Sequence, residues 1–88
     1  MTKKQLRGIC SKVVLRLKKI DCKCWVSRVK DFPIVHQFNK KGCGLFDIEI
    51  DLLENEDSYL HVIVRVSDEG FIHSMFPVCE SFIVNRTC

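Results

Sequence analysis

Three residue types in this chain could carry chemistry: six cysteines (Cys10, Cys22, Cys24, Cys43, Cys79, Cys88), three histidines (His36, His61, His73) and a run of acids between Asp47 and Asp57. Cys22, Cys24 and Cys43 with one histidine would supply four zinc ligands. Structural zinc sites, however, draw on C-x₂₋₄-C pairs held on turns. Read on a strand, C-x-C only sets two thiols on one face, and core thiols are the plainer reading. Nucleophilic catalysis fares no better. No nucleophile elbow and no Cys/His or Ser/His motif is present, so no set of catalytic roles is filled. His61 opposite an acid has the form of an oriented base, but a surface ion pair explains the same residues. The chain is therefore read as a non-enzyme, with neither cofactor nor metal.

The acids describe a surface better than a reaction. In FDIEIDLLENEDSYLHVIVRVSDEG (46–70), two runs of alternating apolar residues flank the polar loop ENEDS. That pattern predicts a long β-hairpin. Phe46, Ile48, Ile50 and Leu52 face one way and Asp47, Glu49 and Asp51 the other. With the loop centred on Glu56, the inner pairs are Phe46–Val66, Ile48–Val64, Ile50–Val62 and Leu52–Leu60. The outer pairs are then Asp47–Arg65, Glu49–Ile63, Asp51–His61 and Leu53–Tyr59. A one-residue slip would expose every apolar side chain. The outer face and loop gather Glu49, Asp51, Glu54, Glu56 and Asp57 around Tyr59, His61, Ile63 and Met75. Acids steer and select a basic protein partner, while an aromatic anchor with aliphatic neighbours supplies affinity. These nine residues form the expected partner-binding site.

Other elements position that hairpin. Residues 2–20 place apolar side chains at 6, 9, 10, 13, 14, 17 and 20, the spacing of an amphipathic helix. Lys3, Lys4, Arg7, Lys12, Arg16, Lys18 and Lys19 take the opposite face, and Leu15 sits on the flank of the stripe. Thr2 is the expected N-cap, with Gln5 three residues on. Gly8 suggests a close helix contact. Residues 22–29 alternate as a strand, and 34–38 form a second after a bend at Asp31–Pro33. Residues 39–44 read as a loop. Asp68–Gly70 reads as a tight hairpin loop that pairs Val66 with Ile72 and Val62 with Phe76. Cys79-Glu80 then makes a turn before a last strand at 81–84. The expected fold is α+β: one N-terminal amphipathic helix packed on a mostly antiparallel sheet of five to six strands, in one domain spanning residues 1–88.

Net charge is +3, but residues 1–44 carry +10 and residues 45–88 carry −7. A basic helix can track phosphates, and Trp25 can stack on a base, so a small nucleic-acid-binding module is the alternative function. The acidic half opposes that ligand. A membrane partner is not expected, because the apolar stripe of the helix is needed to cover the sheet. No apolar run reaches the ~20 residues that span a bilayer, and no signal-peptide h-region follows the charged N-terminus. A cytoplasmic location is expected, with most cysteines as free or buried thiols.

The segment FDIEIDLLENEDSYLHVIVRVSDEG…FPVCESFIVNR resembles small bacterial immunity proteins of contact-dependent and polymorphic toxin systems. The shared features are small size, the acidic LLENEDSYLHV hairpin and the terminal SFIVNR strand. The resemblance implies a small cytoplasmic inhibitor that neutralises a cognate toxin domain by direct binding. The basic N-terminal half departs from the uniformly acidic pattern common among inhibitors of nuclease toxins, and no functional residue transfers from the match.

Overall fold

The computed structural model describes residues 3–40, 44–68 and 78–87. The amphipathic spacing at the N-terminus forms helix α1 (Lys3–Leu17). Leu6, Cys10 and Val14 on its inner stripe are buried, with Ile9, Val13 and Leu17 packed beside them. Leu15 is 60% exposed, as its flanking position predicts. Residues Lys18–Ile20 do not continue the helix. Lys19 and Ile20 donate to the carbonyls of Arg16 and Leu17 (3.2 and 3.1 Å), the i→i+3 bonding that tightens a last turn. The expected cap at Thr2 lies outside the described residues. A Cβ built at Gly8 meets nothing within 4 Å, so Gly8 serves no close contact.

Residues 22–29 are not a strand. They form a short helix α2 (Cys22–Ser27) followed by a 3₁₀ turn (Val29–Asp31). The Asp21 carbonyl accepts from the amides of Cys24 and Trp25 (3.0 and 3.2 Å). Trp25, only 4% exposed, stacks on Phe32 at 5.7 Å and meets the edge of Phe82 at 5.9 Å. Burying one indole outweighs two short cysteines that alternate only weakly. On a helix, residues two apart do not share a face, so the C-x-C argument for paired thiols lapses. Cys22 is disulfide-bonded and its sulfur lies 2.7 Å from the Asn85 carbonyl, which sets α2 beside the end of the last strand. Cys10, Cys24 and Cys79 are free thiols.

The sheet has four strands among the described residues, not five or six: β1 (Ile34–Lys40), β2 (Gly44–Asn55), β3 (Tyr59–Asp68) and β4 (Val78–Asn85). They pair antiparallel in chain order as a meander. β2 opens on Gly44 at φ +82°, a conformation glycine adopts without a Cβ clash. Leu60, Val62, Val64 and Val66 are wholly buried beneath α1, with Phe46, Ile48, Val78 and Phe82 around them. The Cys10 thiol lies in this core, 3.6 Å from the Val64 carbonyl. Burial, helped by the negative charge of Glu80, pushes it up to about 12.

The register differs from expectation by two residues. Phe46 pairs with Asp68, Ile48 with Val66, Ile50 with Val64 and Leu52 with Val62. A two-residue slip keeps every side chain on its face, so alternation cannot distinguish the two pairings. The structure distinguishes them through a bulge at Leu53, after which Glu54 pairs with His61, and through a short loop closed by the Glu56 amide on the Tyr59 carbonyl (2.9 Å). Leu53 therefore does not face Tyr59. The third hairpin also changes. Val66 and Val62 pair with Val78 and Phe82, not with Ile72 and Phe76, and Cys79-Glu80 lies within β4 rather than in a turn. The expected partners Ile72 and Phe76 lie outside the described residues.

Candidate functional site

Both helices pack on one face of the sheet. Among the described residues, no helix covers the other face. Strand alternation places Asp47, Glu49 and Asp51 of β2 there, with Tyr59, His61, Ile63 and Arg65 of β3 and Ile83 of β4. Six of the nine expected partner-binding residues (Glu49, Asp51, Glu54, Tyr59, His61, Ile63) share this face. Glu56 and Asp57 form the exposed loop at its end. Met75 lies outside the described residues.

Glu54 organises the end of the face. The bulge at Leu53 sets Glu54 opposite His61, and its two carboxylate oxygens take separate partners. Tyr59 Oη donates to Oε2 at 2.8 Å, and His61 Nδ1 lies 3.3 Å from Oε1. The Tyr59 bond, then His61, hold the Glu54 carboxyl below the ordinary carboxylate range. The same bond raises the Tyr59 phenol above its usual value, because a carboxylate acceptor favours the protonated hydroxyl. His61 therefore partners Glu54, not Asp51, whose Oδ1 accepts from the Leu52 amide (2.8 Å). Arg65 pairs with Glu49 at 3.3 Å, not with Asp47. The Arg65 pairing follows from the shifted register, and the His61 pairing from that shift together with the bulge at Leu53.

The loop is held from the far side. The Arg86 guanidinium donates to the Asn55 side chain and to the Glu56 carbonyl (3.1 Å), and its backbone amide donates to the Ser58 carbonyl (3.0 Å). Asn85 in turn accepts from the Thr87 amide and hydroxyl (3.0 and 2.6 Å). Glu56 and Asp57 thus stand on a braced turn rather than a free loop. Beside it, Ser58, Tyr59, Ile83, Asn85 and Thr87 line a shallow depression.

Sequence reasoning missed Arg86 and Ile83. Alternation along 81–84 places Ile83 opposite to Phe82, and it is 58% exposed on the outer face. Nothing in the sequence marks Arg86, since its partners come from a loop about 30 residues away. The bulged Leu53 adds a second exposed apolar side chain, 48% accessible, at the same end.

No cluster of His, Cys, Asp and Glu arranged to hold a metal ion occurs among the described residues. No helix among them is long and apolar enough to cross a membrane. The chain matches no protein-family model, no curated protein and no solved structure.

Proposed function

We propose that this protein is a binding inhibitor that docks on a partner protein through the outer face of its sheet, most simply an immunity protein that neutralises a bacterial toxin domain. The observation that carries this reading is a braced acidic end beside apolar anchors on a face that no helix covers among the described residues. Glu54, Glu56 and Asp57 offer charge to a basic partner. Tyr59, Ile63 and Ile83 offer area, and the depression between Tyr59 and Ile83 suits one inserted side chain. Because Tyr59 and the loop are already hydrogen-bonded, little side-chain freedom is lost on docking. The compartment belonging to this reading is the cytoplasm.

Co-purification with a toxin domain encoded beside the gene tests the class. Charge reversal at Glu54, Glu56 and Asp57 together tests the face, and a loss of at least tenfold in affinity is expected. Unchanged binding by that triple variant removes the proposed face.

One observation favours a second reading, a small nucleic-acid-binding module. Lys4, Arg7, Lys12, Arg16, Lys18 and Lys19 are all exposed, and none is ion-paired among the described residues. Binding of mixed RNA or DNA that falls steeply with salt would support it. Absence of such binding at micromolar protein would dismiss it.

A further inference from the structure

The helical layer does not cover the whole inner face. α1 packs on β3 and β4, and α2 on β4, which leaves Ile34 of β1 and Ile50 of β2 only partly buried at the margin of the helical layer. The space left between is a half-open groove of about 400 Å³, within the ~300–1,000 Å³ range of small-molecule sites. Leu17 at the end of α1 and Ile20 in the turn after it form one wall, Trp25 and Phe32 another, and Ile34 and Ile50 of the sheet the floor. The Trp25 and Phe32 rings stack on each other, 15° from parallel at 5.7 Å, which makes this wall aromatic. Ile20 is 43% exposed, although a domain this small has little apolar surface to spare.

Apart from the Cys24 thiol, the polar side chains at the groove are basic. Arg28 and His36 line it, both exposed, and no carboxylate does so among the described residues. No side-chain partner occupies the Arg28 guanidinium among the described residues. Its fork of donors matches a carboxylate in geometry and charge. Around it the exposed cations Lys19, Lys23 and Lys30 outnumber the exposed acids Asp21 and Asp31, so the potential keeps the same sign.

We infer that this groove binds a small amphipathic carboxylate. The hydrocarbon portion lies on Trp25, Phe32 and Ile50, and the carboxylate meets Arg28 with His36 beside it. The site lies on the opposite face from the proposed docking surface and stands or falls separately from it.

Trp25 is the sole tryptophan, so its emission reports on the groove directly. The wild-type protein is titrated with decanoate, decanol and decyltrimethylammonium, each kept below its micelle concentration. Decanoate is expected to change the emission saturably, with decanol at least tenfold weaker and the cation weaker still. Arg28→Gln should lower decanoate affinity about tenfold and leave decanol unchanged. Cys24→Phe, which places a ring at the groove wall from an exposed helix position, should weaken both. Circular dichroism establishes that each variant is folded. A response equal for the three head groups, no saturable response to decanoate, or full decanoate affinity in Arg28→Gln overturns the inference.

Discussion

Glu54 couples two titrations at the end of the sheet. Its carboxylate accepts from the Tyr59 hydroxyl and sits against His61, so its own pKa is lowered and that of Tyr59 is raised. The signs of the linkage follow from these directions. The depressed Glu54 contributes stability above the ordinary carboxylate range, and this is lost as pH falls through the lowered folded-state value. The raised Tyr59 contributes stability below the ordinary phenol value, and this is lost as pH rises through the raised one. Glu54 is exposed and Tyr59 only partly buried, so the effect is best read on the titration itself. Tyr59 is the sole tyrosine, and tyrosinate absorbance follows it without interference from a second phenol. In Glu54→Ala the midpoint should fall toward the ordinary tyrosine value. An unchanged midpoint would mean that the hydrogen bond does not persist in solution. The result also bears on docking, since a Tyr59 released from Glu54 has to be immobilised again by the partner.

At the scale of elements, α1 carries an avoidable cost. Gly8 is exposed in the interior of the helix, and a Cβ there meets open space. Replacing it with Ala should stabilise the fold by about 0.5–1 kcal/mol, through better helix propensity and a less flexible unfolded chain. A chemical-denaturation midpoint that rises at constant slope would show it; a fall would mean that Gly8 has a contact in solution. The helix itself was legible because seven apolar positions at 3.6-residue spacing admit one reading. The faces of β2 and β3 were legible for the same kind of reason, since alternation over ten residues fixes what is buried. Three things were not legible, each with a physical cause. The two-residue register shift is silent in an alternating pattern; it moved Arg65 from Asp47 to Glu49 and, together with the bulge at Leu53, moved His61 from Asp51 to Glu54. The segment alternates from Cys22 to Ser27, yet it folds as a short helix in which Trp25 is only 4% exposed, a tertiary contact that no local pattern encodes. The brace from Arg86 joins residues far apart in sequence, and no local pattern encodes such a contact. The site residues on β2 and β3 were therefore identified by face, while their partners required the fold.

For the whole molecule, the separation of charge along the chain becomes a separation in space. The basic first half builds the helical layer, with Lys4, Arg7, Lys12, Arg16, Lys18 and Lys19 facing solvent. The acids of β2 lie on the outer face of the sheet, where Arg65 is the one opposing cation among the described residues. The body is about 20 Å thick, with extents of 41 × 22 × 19 Å. Two copies approaching layer to face attract, whereas two approaching with like surfaces repel, and the net charge of +3 adds a general repulsion. Which of these dominates is set by screening, since the Debye length is ~30 Å at 0.01 M salt but only ~8 Å at 0.15 M. At the lower salt the opposed surfaces act across the full thickness of the body. A layer-to-face contact is heterologous and does not close into a dimer, so weak, concentration-dependent attraction is expected rather than a defined oligomer. Static light scattering should give a negative second virial coefficient near ~0.01 M salt that turns positive as screening shortens the range of the field. Lys12→Glu combined with Arg16→Glu, two exposed changes that reverse the centre of the helical layer, should abolish the low-salt attraction without altering the melting temperature by more than a few degrees. A coefficient that instead grows more positive as salt is removed would mean that net repulsion outweighs the dipole. The outer face would then steer a basic partner by its local acids alone, without help from the orientation of the molecule as a whole.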